Sequence, residues 1–243
     1  MTTDTKLESA VDEAKAPEKK PEHHEHNTAM VDVGAKEDIN KKATDLFREA
    51  KRFTSLGELP LAMENIDLAI SLETVDNAEY NKADAYFLAA QLCRRMNEFK
   101  HALDYIEKGI RCVNPYRKDS PKFALSKGVI QLQMAEVEHE TAVKKLLAGA
   151  IESFKMAVTV AEVLLGKKKD HCFEPQDLLV VKKYHMISIF DLAYAHDLSG
   201  DRRSSIEVLD RLFELYPHIH VGSTTFELFD KIQQEKAVSH TAK

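Results

Sequence analysis

Asn97–Val113 reads N-E-F-K-H-A-L-D-Y-I-E-K-G-I-R-C-V. Phe99, Ala102, Leu103, Ile106, Gly109, Ile110 and Val113 recur at intervals of three and four, which marks the apolar face of a helix. Two of them, Ala102 and Gly109, are small and flank Ile106. Glycine inside a helix costs about 1 kcal/mol relative to alanine. A sequence accepts that cost where a second helix has to approach closely. The stretch therefore reads as one member of a packed helix pair.

Three other stretches share its spacing. Ala62, Ile66 and Ala69 stand four and three apart, as do Ala102, Ile106 and Gly109, then Ala150, Phe154 and Ala157. Ser205, Leu209 and Leu212 repeat the spacing with a larger last residue. Gly57, Asn97 and Gly200 each lie five residues before the first small residue, where a turn between paired helices belongs. Ala50, Ala90 and Ala193 each lie twelve residues before it, in the preceding helix. The chain is thus a series of helix pairs, each closed by small residues at the crossing.

This pattern resembles the tetratricopeptide repeat, a helix–turn–helix of about 34 residues. Leu46, Ala50, Phe53, Ala62, Ile66 and Ala69 carry the likeness in the first unit. Tyr86, Ala90, Cys93, Ala102, Ile106 and Gly109 carry it in the second, and Ile189, Ala193, Ser205, Leu209 and Pro217 in the last. The third unit is legible only in its second helix, at Ala150, Phe154 and Ala157. The first small residue recurs at 62, 102, 150 and 205, in steps of 40, 48 and 55. These exceed the family's unit, so longer helices or linkers are expected, above all in the second half. The resemblance implies an all-α, right-handed superhelix of antiparallel pairs, about four of them, followed by a C-terminal helix.

Taken in order, residues 1–36 are rich in Lys, Glu, Pro and Asp and read as a disordered tail that buries too little to fold. His23-His24-Glu25-His26 lies within it and is read as solvated rather than as a metal site. The repeat domain is expected over 37–217, with its first helix opening at an Asp38 N-cap. Further caps are expected at Asp76 and at Ser120, which precedes Pro121. Gly166 is placed as a C-terminal cap. Residues 218–243 read as a capping helix and short tail, with Thr224 and Glu227 as a capping box and Phe226, Phe229 and Ile232 as its apolar face.

Composition narrows the function. The 243 residues are 44% hydrophobic and carry a net charge of −6, which argues against a chain-wide grip on nucleic acid. Cys93, Cys112 and Cys172 show no paired spacing and suit a reducing compartment. The N-terminus lacks a basic-then-apolar signal pattern, and no stretch has the length of a membrane helix. A cytoplasmic protein without membrane insertion is expected, with the nucleus left open.

No glycine-rich phosphate loop, zinc-spaced Cys/His set or nucleophile elbow is present. Asp170-His171-Cys172 is a local neighbour set rather than a triad, which is assembled in space. His196 falls on a packing face and reads as a buried, hydrogen-bonded histidine. No enzyme activity, cofactor or metal is expected.

The resemblance places the first helix of each pair on a concave face. Phe47, Phe87 and Phe190 stand three residues before Ala50, Ala90 and Ala193, and Lys51, Gln91 and Tyr194 stand one after. With Arg94 and Arg95, these residues are read as a partner-binding groove with aromatic anchors and one basic end. The competing reading packs the phenylalanines between helices. Some family members clamp the acidic tails of Hsp70 and Hsp90 with Lys and Asn on one helix, Asn on the next pair, then Lys and Arg. The matched slots here hold Phe47, Lys51 and Leu88, a poor match. The expected function is a non-catalytic interaction scaffold or adaptor that holds a peptide or helix of a protein partner. The alternatives are an RNA-associated repeat, using pairs such as Arg94-Arg95, Lys144-Lys145, Lys182-Lys183 and Arg202-Arg203, and an enzyme with an unrecognised site.

Overall fold

The computed structural model describes residues 25–72, 74, 80–166 and 173–217, with backbone alone for 25–36. The chain divides into two units, 1–38 and 39–243, and the helical array is the second. Among the described residues it is all-α, with eight helices: α1 Glu25–Leu56, α2 Leu59–Ser71, α3 Lys82–Arg95, α4 Phe99–Cys112, α5 Pro121–Val137, α6 Glu140–Gly166, α7 Pro175–Leu198 and α8 Arg202–Leu215. They form four antiparallel pairs stacked in chain order.

Local chemistry explains most of the boundaries. Proline stands in the first turn of α2, α5 and α7, where its missing N–H costs nothing. Gly57, Asn97 and Gly200, expected at the turns, all adopt left-handed backbone, with φ of 81°, 62° and 81°. One turn geometry therefore closes the first, second and fourth pairs.

Three expected boundaries differ, at Asp38, Ser120 and Gly166. α1 extends upstream of Asp38, so Asp38 lies inside the helix, and residues 25–36 of the expected tail are helical. Extending an existing helix is far cheaper than nucleating one, which is the physical reason a cap-like residue is passed over. α3 is capped by Asn81, whose side chain accepts from the N–H groups of Ala83 and Asp84. Ser120 makes no capping bond, because its hydroxyl donates to the Pro115 carbonyl at 2.9 Å. Gly166 is the last helical residue of α6 rather than a cap beyond it. The Asp76 cap, Asp170-His171-Cys172 and the C-terminal helix lie outside the described residues, as do the side chains of the histidine cluster.

Each core joins one pair to the first helix of the next. Ala43, Phe47 and Ala50 of α1 share a core with Ala62, Ile66 and Ala69 of α2 and with Ala85, Ala89 and Leu92 of α3. Ala83, Ala90 and Cys93 of α3 meet Ala102 and Ile106 of α4 and Phe123 and Ile130 of α5. The series continues with Ala150, Phe154 and Ala157 of α6 against Leu192 and Ala195 of α7. Ile189 and Ala193 of α7 then close on Leu209 and Leu212 of α8. Nearest-neighbour stacking of this kind is how a repeat array builds a continuous core.

One pairing rule runs through the crossings. The small residue of each first helix shares a core with the central large residue of the second: Ala50 with Ile66, Ala90 with Ile106, Ala193 with Leu209. In the third pair the large residue is Phe154, and it packs on Gly128. An added Cβ there would stand 2.7 Å from two ring carbons of Phe154. The bulkier aromatic requires glycine where the other pairs hold alanine. The sequence obscures this because the third hairpin is longer. Ala102 lies three residues into α4, whereas Ala150 lies ten residues into α6, about two helical turns later.

Candidate functional site

The first helices bring three of the expected groove residues to one open cleft of about 340 Å³. Phe47 and Lys51 of α1 face Phe87 and Leu88 of α3, with Asn81, Asp84 and Lys122 of α5 completing the lining. Phe47 is almost fully buried and packs edge-on against Tyr80, with centroids 5.7 Å apart. Tyr80 is itself anchored, since its hydroxyl donates to the Ala69 carbonyl at 3.0 Å. Phe87 is half-buried and packs edge-on against Phe123 of α5 at 5.3 Å. Both phenylalanines thus serve packing as well as the cleft wall.

The two lysines differ in what they offer. The Lys122 ammonium lies 2.9 Å from Asp84 and 2.6 Å from Asp119, and Arg117 pairs with the same two carboxylates at 2.8 and 3.0 Å. This four-membered ring ties α3 to the α4–α5 connection and is neutral. Burial would raise the Asp119 pKa, but Lys122 and Arg117 outweigh it and hold the carboxyl below its ordinary value. Lys51 has no ion pair among the described residues. Its ammonium lies 3.9 Å from the centroid of the Phe47 ring, a cation–π contact that leaves the charge exposed to the cleft.

The other expected residues go elsewhere. The Gln91 amide donates to Ser126 Oγ at 3.2 Å, and Arg94 donates to Gln91 and to Gln133. These bonds form a polar seam between α3 and α5 beside the cleft. Arg95 turns the opposite way and donates to the Thr54 carbonyl near the end of α1 at 3.3 Å. Adjacent arginines therefore serve two different helices rather than one basic patch. Phe190 packs with the α7–α8 core, and Tyr194 stands exposed farther along α7. Neither lines the cleft. The packing alanines and Gly109 are all fully buried or covered: Ala50, Ala62, Ala69, Ala90, Ala102, Ala150, Ala157 and Ala193 have no exposed surface. A Cβ at Gly109 would meet the Phe123 ring at 3.1 Å.

Lys122 and Asp84 were not legible as site residues until Gly128 was placed. Counted from the crossing residue, Asp84 stands six before Ala90 and Lys122 six before Gly128, the same register on adjacent helices. His196 is buried, with Nδ1 3.4 Å from the Asp201 carboxylate, which itself caps α8 through the Ser204 N–H. No cluster of three or more metal-ligating side chains occurs among the described residues. No described helix is long and apolar enough to cross a membrane.

No family model matches the chain, and no curated protein matches it in sequence. Its architecture does match solved structures. Two crystal structures of MamA superpose with TM-scores of 0.50 and 0.51, at 14% and 15% identity. They cover 78% and 81% of this chain and 90% and 92% of their own. The crystal structure of YrrB, a TPR protein with an unusual peptide-binding site, aligns over 82% of this chain and 97% of its own, at 16% identity and a TM-score of 0.34. The fold is tetratricopeptide-like. It is a divergent form of that architecture, in which the third pair is lengthened and its crossing rebuilt around Gly128 and Phe154. In a tetratricopeptide-like array the first helices lie side by side, which is why α1, α3 and α5 share one cleft.

Proposed function

We propose that this chain is a non-catalytic interaction scaffold that holds a peptide of a protein partner in the cleft between α1, α3 and α5. The observation that carries the reading is Lys51. It is a cation without a carboxylate partner among the described residues, held over an aromatic ring at the edge of an open cleft. Aromatic walls supply contact area at low entropy cost, and an unpaired ammonium selects an acidic group. The neutral Arg117–Asp84–Lys122–Asp119 ring fixes the far wall without competing for that group. We place the protein in the cytoplasm.

The scaffold is tested by screening a displayed random peptide library against the full chain. Peptides enriched in acidic residues, and lost when Lys51→Glu replaces the wild type, support the reading. Binders indifferent to Lys51→Glu, or none at all, sink it. A short RNA serves as the control. Binding to RNA that falls steeply with salt, combined with failure to enrich peptides, would favour the RNA reading instead.

A further inference from the structure

The carboxylate of Asp191 in α7 is half-buried and has no hydrogen bond or ion pair among the described residues. Burial alone pushes its pKa up to about 6, with no cation beside it to bring it down. A carboxylate kept half-buried and unpaired is costly, because the desolvation is not offset by a partner. Its place in the array gives it a use. Asp191 stands two residues before Ala193, as Leu88 stands two before Ala90, and Leu88 lines the cleft on α3. Helical periodicity puts Asp191 between Leu192 and Ala195, which pack toward α5 and α6, and the exposed Tyr194. It therefore lies at the border between the packed and the exposed faces of α7, in the register that Leu88 holds on α3.

Charge is thus distributed along the row of first helices. Lys51 on α1 is an unpaired cation at one end, and Asp191 on α7 is an unpaired anion at the other. Between them Lys122 and Arg117 are neutralised by Asp84 and Asp119, Gln91 and Ser126 hydrogen-bond each other, and the Arg94 guanidinium is held by the Gln91 and Gln133 amides. The register positions that hold Arg94 and Arg95 on α3 hold Asp197 and Leu198 on α7, which removes basic charge from that end.

We infer that the bound peptide carries two opposite charges at a fixed separation, an acidic group seated at Lys51 and a basic residue seated at Asp191. This rests on the scaffold reading above. The spacing follows from geometry. Lys51 and Asp191 are three first-helix steps apart, at roughly 8–10 Å per step. An extended chain advances about 3.3 Å per residue. The two charges therefore stand roughly seven to nine residues apart in the ligand.

The test uses the full chain and a displayed library of random dodecapeptides. Wild-type protein should enrich peptides with an acidic and a basic residue roughly seven to nine positions apart. Asp191→Arg should replace the basic residue by an acidic one in the enriched set. Should that variant misfold by circular dichroism, the near-isosteric Asp191→Asn should abolish enrichment of the basic residue while keeping the acidic one. A synthetic peptide of the enriched pattern should lose about tenfold in affinity when its basic residue becomes alanine, and Asp191→Asn should erase that difference. Peptides that depend on Lys51 but are indifferent to Asp191 overturn this inference and leave the scaffold reading standing. Peptides indifferent to Lys51 overturn both.

Discussion

The ring of Phe154 fills the space that a side chain at Gly128 would occupy, with two ring carbons 2.7 Å from where a Cβ would stand. This is the third-pair version of Ala90 with Ile106. Gly128→Ala should therefore destabilise the protein by roughly 1–3 kcal/mol through overpacking, although alanine is the better helix former. Gly128→Ala combined with Phe154→Leu should recover most of that loss, because the pair then matches Ala193 with Leu209. Urea unfolding of the single and double variants measures it. Additive losses would show that the two residues do not share the space.

The turns offer a cleaner backbone test. A Cβ at Gly57 or Gly200 would meet nothing within 4 Å, so only the left-handed φ opposes a side chain there. Gly57→Ala and Gly200→Ala should each cost about 1 kcal/mol. Asn97 holds the same region at φ 62°, and Asn97→Gly should gain a few tenths to about 1 kcal/mol. Thermal unfolding should rank the three variants on opposite sides of the wild type.

Two buried groups titrate with opposite sign. Asp191 is pushed up to about 6 by burial, so the folded state holds its proton more tightly than the unfolded state does. Its contribution is present at low pH and is lost as pH rises through about 6. Asp191→Asn should stabilise the protein at pH 8 by roughly 1–3 kcal/mol, at about 1.4 kcal/mol per pKa unit. That gain should vanish near pH 4.

His185 behaves in the reverse way. Burial between α6, α7 and α8 lowers its pKa, and Arg211 adds to this, while the Glu162 carboxylate 3.5 Å away only partly opposes it. Its Nδ1 lies 2.6 Å from the Tyr216 hydroxyl. The stability it contributes is present above the unfolded pKa and is lost as pH falls through the folded one. His185→Gln should flatten the loss of stability below about pH 6.5. Urea midpoints against pH, with and without each substitution, separate the two groups.

Binding and stability should come apart at Lys51. Its side chain is exposed and makes no ion pair among the described residues, so Lys51→Glu should change stability by no more than about 0.5 kcal/mol. Phe87→Ala should alter both properties, because Phe87 packs on Phe123 as well as lining the cleft. Peptide affinity measured beside the unfolding midpoint distinguishes the two. A large destabilisation by Lys51→Glu would mean the cation is structural.

The helix pairs were written in local sequence. The intervals of three and four set the apolar faces, Gly57, Asn97 and Gly200 set the turns, and Ala50 with Ile66 or Ala90 with Ile106 set the crossings. Each depends on residues near one another in the chain, whose helical period and backbone preferences act locally. Tertiary structure decided which neighbours the residues outside the helix crossings meet. It sent Arg94 to α5 and Arg95 to α1, folded Phe190 into the α7–α8 core, and brought Lys122 onto Asp84 across thirty-eight positions of sequence. Those meetings depend on how far each hairpin is offset from its neighbour. The offset of the third is fixed by a glycine whose partner lies twenty-six residues away, beyond the reach of any local pattern.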